Sequence, residues 1–191
     1  MFPRFPALYF AEDVETALCE KFGPPDLAKG GMNRFDLALA DQKSFSSVSF
    51  FGDLDAVIDL QDPVSLDGFV SLLRSFKISN QLQQQAKKLN LGTGVVTTSE
   101  QLMDTLLDPD WRRFPMHVDI PANSQIFGQL IHGAGLIGVL YPSKYTKKKC
   151  LAVYPRNFKD SDSFIEIKDV TPKHVHISRL DSKSWSKITG C

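Results

Sequence analysis

The hexapeptide Gly133-Ala134-Gly135-Leu136-Ile137-Gly138 constrains this chain more than any other feature, because it matches GxGxxG with its flanks in the wrong order. A dinucleotide fingerprint needs a strand before the glycines and a helix after them, so that the helix N-terminus faces a pyrophosphate. Here a helix-spaced run, Gln125 to His132, comes first, and the strand-like Ile137 to Tyr141 follows. Where that fingerprint wants an acid about 20 positions on, this chain has Phe158. The glycines therefore read as a helix C-terminus and a tight turn feeding a strand, and the doubly wound nucleotide fold is set aside.

The other elements do not alternate strictly between strand and helix either. Ala7 to Ala11 is a short apolar, aromatic run with the look of a buried strand. Asp13 then caps a helix over Val14 to Phe22, Gly23 stands at its C-terminal end, and Pro24 and Pro25 cannot continue it. Strand-like runs follow at Arg34 to Ala40, Ser46 to Phe51 and Ala56 to Leu60. Ser65 is expected to cap a helix through Phe76, and Gln81 to Leu89 is also helical in pattern. Thr98 with Gln101 has capping-box spacing ahead of a helix over Ser99 to Leu107. Met116 to Ile120 alternates like a strand. The last strands are expected at Ile137 to Tyr141, Cys150 to Tyr154 and Phe164 to Val170, with an edge strand over Val175 to Leu180. Lys147 to Lys149 reads as a solvated hairpin tip. This order predicts an α+β fold, a single domain with mixed or antiparallel sheets and flanking helices.

At 191 residues the chain suits one domain that can bury its own core. Lysines plus arginines and the acids balance at 22 each, so no basic excess points to nucleic acid. Cys19, Cys150 and Cys191 lack paired or CxxC spacing, which indicates free thiols in a reducing, cytoplasmic setting rather than disulfides or zinc. No signal peptide is visible at the N-terminus. The most apolar window, Ile126 to Tyr141, is too short for a membrane span and reads as core.

Few residues carry chemistry by spacing alone. Ala17 and Glu20 share a helix face, and the small Ala17 would let that face approach the sheet and turn Glu20 toward Tyr9. The plainer alternative is a solvated Glu20 paired with Lys21 or a nearby lysine, which spacing alone favours. Ser143 follows Pro142 at a sheet end, with its hydroxyl and N–H available to a ligand; as a simple turn residue it is explained at least as well. His117, His132, His174 and His176 have no metal-ligand spacing, so they read as surface or core residues. Neither a GxSxG elbow nor a P-loop is present.

Taken in order, several segments add up to more. Leu8-Tyr9-Phe10-Ala11-Glu12 leads into Thr16-Ala17-Leu18-Cys19-Glu20. Val57-Ile58-Asp59-Leu60 follows, and later Ser124-Gln125 opens a helix. Gly135-Leu136-Ile137-Gly138-Val139-Leu140-Tyr141-Pro142-Ser143 and Val153-Tyr154-Pro155 complete the pattern. This succession resembles the RES domain family over residues 7–170. Of the Arg, Glu and Ser that name the family, Glu20 and Ser143 match the last two. The family's Arg lies in an RF-like element well before the aromatic strand. Arg4-Phe5 has the dipeptide but stands five residues before Tyr9, so the chain is expected to start inside the family domain.

The resemblance implies an ADP-ribosyltransferase-like fold that takes NAD as substrate, with no bound cofactor or metal. It implies cleavage of the nicotinamide–ribose bond, with phosphate as acceptor in a phosphorylase or water in a glycohydrolase. It also implies a toxin neutralised by a helix-turn-helix antitoxin, acting on neither nucleic acid nor membrane. Glu20, Ser143 and Tyr9 would be the catalytic set: Glu20 beside the positive ribose, Ser143 on ribose or phosphate, and the Tyr9 ring against nicotinamide or ribose. Arg4, Tyr141 and Ser124 would bind substrate. Two alternatives share the same scaffold: an inactive, truncated module that binds a partner protein, and an ADP-ribosyltransferase acting on a protein.

Overall fold

Asp13 opens the first helix as its position predicts. In a computed structural model, which describes residues 5–24, 46–75, 96–108, 123–171 and 175–189 together with 80, 84, 87 and 88, its side chain accepts the Thr16 N–H at 2.8 Å. That bond satisfies one of the N–H groups a helix start leaves bare. Helix α1 runs Val14–Phe22 and ends at Gly23, whose N–H donates to the Cys19 carbonyl. The run before it forms strand β1, Leu8–Ala11.

The chain gathers into two compact units, residues 1–59 with 128–191, and residues 60–127. In the first unit, strands β2 (Phe50–Asp53), β3 (Val57–Asp59), β4 (Gly138–Pro142), β5 (Lys149–Val153), β6 (Phe164–Ile167) and β7 (Arg179–Leu180) join β1 in two sheets. One sheet has the order β1-β5-β4-β3, antiparallel except for the parallel β3–β4 pair. The other, β2-β6-β7, is antiparallel throughout. With the helices, this is the α+β class and the mixture of sheet types that the element order predicts.

Register decides what each face of the first sheet carries. Leu8 and Phe10 of β1 stand opposite Val153 and Leu151 of β5 and pack into a core built on Ile137, Val153, Phe158, Ile165 and Leu180. Ile165 and Leu180 come from the second sheet, and the Phe10 ring meets Phe50 edge-on at 4.9 Å. Two further elements among the described residues pack there: a 3-10 turn over Pro155–Phe158, and a short helix whose Trp185 and Ile188 lie against the core. That helix, Trp185–Thr189, has only one apolar pair at helical spacing, too little for a periodic signal. The opposite face carries Tyr9, Ala152 and Val139 in one row and Ala11, Cys150 and Tyr141 in the next.

In the second unit, a 3-10 turn over Pro63–Leu66 leads into α2, Asp67–Ser75, and α3 spans Ser99–Leu106. Helix α4, Asn123–Gly133, begins in this unit and ends in the first. Leu66, Val70, Leu102, Leu106 and Phe127 are buried, and Phe69 meets Phe127 edge-on at 4.9 Å. Thr98 caps α3 by accepting the Gln101 N–H. The Gln101 side chain reaches back one residue further than a capping box requires, to the Thr97 N–H at 3.0 Å.

Helix α4 ends as the glycines foretell. Leu136 N–H reaches the Ile131 carbonyl and Gly135 N–H the His132 carbonyl, both at 3.2 Å, with Gly135 at φ +79°. This is a Schellman ending, and its left-handed residue suits glycine. Gly138 serves differently: a Cβ there would meet the Ala152 carbonyl oxygen at 2.4 Å, so only glycine lets β4 and β5 approach this closely.

Some expectations need correction. β1 is not a buried strand, because it is the edge of its sheet and leaves Tyr9 72% exposed. The predicted strand at Ser46 to Phe51 begins only at Phe50 and runs on to Asp53. Ser65 does not cap a helix; Asp62 accepts the Val64 N–H and Pro63 starts the 3-10 turn, since proline has the right φ and no N–H to lose. β6 stops at Ile167, and the edge strand is confined to Arg179–Leu180. The expected elements at Arg34 to Ala40, Gln81 to Leu89 and Met116 to Ile120 lie outside the fully described residues. Among the described residues, no helix is long and apolar enough to cross a membrane.

Candidate active site

Helix α1 turns Glu20 inward. Its buried residues are Thr16 and Cys19, whereas Ala17 is exposed, so the face that meets the sheet is set by Thr16 and Cys19 and not by the small Ala17. Glu20 stands one turn beyond Thr16 on that face. Its carboxylate oxygen Oε1 accepts a 2.6 Å hydrogen bond from Ser143 Oγ. The solvated Glu20 that spacing alone favours is thereby overturned, for a reason spacing does not hold: the donor is 123 residues away.

Ser143 is fully buried just past the end of β4. Its N–H donates to the Lys148 carbonyl at 2.7 Å and its own carbonyl accepts from the Lys147 N–H. The Oγ also accepts the N–H groups of Tyr145 and Thr146, each at 3.2 Å. Ser143 is thus a turn residue, as its place after Pro142 suggests, and also the anchor of Glu20. With its proton committed to Glu20 and its lone pairs to two amides, the hydroxyl holds the carboxylate in place.

Two more contacts tie α1 to the same turn. Thr16 Oγ1 lies 2.9 Å from Thr146 Oγ1. Lys148 Nζ pairs with the Asp13 carboxylate. The Lys147–Lys149 segment is therefore not merely a solvated tip: Lys148 is held at the helix N-terminus, and Lys149 begins β5, its N–H donating to Glu12 Oε2. Asp13, Thr16 and Glu20 face Lys148, Thr146 and Ser143 in turn, making a three-rung ladder from an exposed ion pair to a buried hydroxyl.

The Lys148 ammonium, with the Thr16 N–H, holds the Asp13 carboxyl well below its ordinary 3.8, at about 2. A carboxyl depressed in the fold stabilises it above the unfolded value and loses that contribution as pH falls toward the folded one. The outer rung should therefore persist until the pH falls between about 3.8 and 2. Carboxyl NMR should give an Asp13 midpoint near 2 that returns toward 3.8 in Lys148→Met; an unmoved midpoint would show that the pairing does not set it.

The sheet face beside Glu20 is aromatic. Tyr141 is half-buried on β4, two positions before Ser143, and burial pushes its phenol well above the ordinary range, with Cys150, Glu20 and Tyr9 adding to the effect. Tyr9 shares that face on β1 but projects into solvent. Cys150 lies opposite Tyr141; burial and then Glu20 raise its thiol to about 11. The Cys19 thiol is raised by burial too. Both shifts favour the protonated thiol near neutral pH.

Ser124 lies in the first turn of α4, in the second unit, half-buried. Arg4 lies outside the described residues. His132 reads as core: its ring stacks on Phe5 at 4.5 Å with Tyr154 edge-on, and burial lowers its pKa. The Thr16–Thr146 and Asp13–Lys148 rungs were not foreseen. Residues 13, 16 and 20 lie on one helix face, which the sequence does display, but nothing in it names their partners.

The RES domain model matches residues 2–174 of the chain. No curated protein and no solved structure gave a match.

Proposed function

The chain belongs to the RES domain family, and from that premise we propose that it degrades NAD, breaking the nicotinamide–ribose bond with phosphate as acceptor. The observation that carries the reading is the 2.6 Å bond from Ser143 to Glu20, which joins the Glu and the Ser matching the family's name. A glycosidic bond to a pyridinium nitrogen breaks with its electron pair leaving on nicotinamide, which departs neutral. Positive charge then develops on the ribose, as in other glycosyl transfers. A carboxylate held in advance at that position lowers the barrier without having to reorganise.

Glu20 supplies that carboxylate, and Ser143 fixes it by binding Oε1, leaving Oε2 to face the ribose. The Tyr141 and Tyr9 rings offer apolar faces to nicotinamide or ribose on the same side of the sheet. An oxygen of phosphate then bonds to the ribose carbon that nicotinamide leaves. Arg4 is proposed as a further substrate contact. A toxin role, restrained by a helix-turn-helix antitoxin in the cytoplasm where NAD is abundant, completes the reading.

Purified chain mixed with NAD, with and without phosphate, should release nicotinamide faster when phosphate is present. Release indifferent to phosphate would replace the phosphorylase by a glycohydrolase. No release from well-folded protein would remove the NAD-degrading reading altogether.

A further inference from the structure

We propose that Thr16 and Thr146 are positioning residues for Glu20, acting through Ser143. The inference rests on the NAD-cleaving reading for its catalytic meaning, but its geometry stands by itself. Thr16 is fully buried, one turn before Glu20 on α1, and its Oγ1 meets Thr146 Oγ1 at 2.9 Å. Thr146 holds both ends of the linkage: its hydroxyl meets Thr16, while its N–H donates to Ser143 Oγ at 3.2 Å.

Ser143 Oγ in turn donates to Glu20. A closed circuit results, running from Thr16 to Thr146, to Ser143, to Glu20 and back along one turn of α1. Neither the rotation of α1 nor the position of the 143–146 turn can change without breaking a member of it. The Asp13–Lys148 pair is exposed, where solvent screens it; the threonine bond is its part-buried counterpart.

Threonine suits the position. The hydroxyl makes the cross-link, and the β-branched side chain has fewer χ1 rotamers open to it than serine has. Valine keeps the shape and removes the oxygen. Serine keeps the oxygen and loses the methyl.

Displacement of a catalytic group by about 1 Å can cost on the order of 100-fold in rate. Thr16→Val and Thr146→Val should therefore each lower kcat for nicotinamide release roughly 10- to 100-fold, with KM for NAD unchanged. Thr16→Ser should recover most of the rate. Full activity in both valine variants would overturn the proposal, and so would a Thr16→Ser as slow as Thr16→Val.

A second readout separates this proposal from the NAD reading. The Tyr145 and Thr146 amides donate to Ser143 Oγ, so their hydrogen exchange reports whether that oxygen stays in place. In Thr16→Val both should exchange faster, while the amides pairing β4 with β5 keep their protection. If the parent chain releases no nicotinamide but this exchange pattern appears, the NAD reading fails and the circuit stands. Unchanged exchange of those two amides overturns the circuit whatever the activity.

Discussion

Glu20→Gln is expected to cut nicotinamide release roughly 100- to 1,000-fold or more, while leaving the melting temperature within a few degrees of the parent chain. The amide keeps the size of the carboxylate, and its oxygen can still accept the Ser143 proton that Oε1 now takes at 2.6 Å. What it loses is the negative charge facing the ribose. Removing one preorganised stabilising group of this kind costs about 2.7–4 kcal/mol in the barrier. The loss should appear chiefly in kcat, because the positive charge moves from the pyridinium ring onto the ribose as the bond breaks, and the carboxylate interacts more strongly with it there than in the ground state. Steady-state rates with thermal unfolding of the same samples check this. A variant with full activity would remove Glu20 from the chemistry.

Ser143→Ala should injure both stability and activity. Its hydroxyl is fully buried and holds three partners: Glu20 Oε1, the Tyr145 N–H and the Thr146 N–H. Each buried group left without a partner costs about 1–3 kcal/mol. Glu20 is half-buried and water can replace part of its loss, so a total of about 2–4 kcal/mol is expected. For a chain of this size that lowers the melting temperature by roughly 5–15 °C. Activity should fall at the same time because Glu20 loses its anchor. A Ser143→Ala chain as stable as the parent would mean that the three bonds are not closed in solution. One that is destabilised but fully active would leave Ser143 a purely structural residue.

The two variants are diagnostic as a pair. Glu20→Gln separates charge from packing, whereas Ser143→Ala disturbs packing and position together. A double variant no slower than Glu20→Gln alone would place Ser143 in the same unit as the carboxylate, since residues acting as a unit are strongly non-additive.

Most of what was legible in the sequence was local. The cap at Asp13, the start of α3 at Thr98 and the Schellman end at Gly135 each depend on partners within five residues, so the residues that decide them are read together. The same holds for the rejection of a dinucleotide site, since strand or helix before the glycines is a local matter. Errors of extent arose where local preference is weak. β1 reads as buried because its residues are apolar, yet an edge position leaves Tyr9 in solvent. Ser65 reads as a cap because it is a serine, yet Asp62-Pro63 starts the turn sooner.

The family was legible as well, but through the order of motifs and not through any one residue. Glu20 and Ser143 entered as members of a pattern while their own spacing argued for a solvated acid and a plain turn. The sequence by itself determined the α+β class, the starts of α1 and α3, the end of α4, the hairpin between β4 and β5, and the identity of the two residues that meet. Only the tertiary structure decided that they do meet, and that Asp13 and Thr16 brace them from the same helix face. The reason is distance along the chain: the three rungs join residues 135, 130 and 123 positions apart, and no local preference reaches so far. Those contacts form only when β1 and β4 take their places on either side of β5 and carry α1 and the 143–148 turn together.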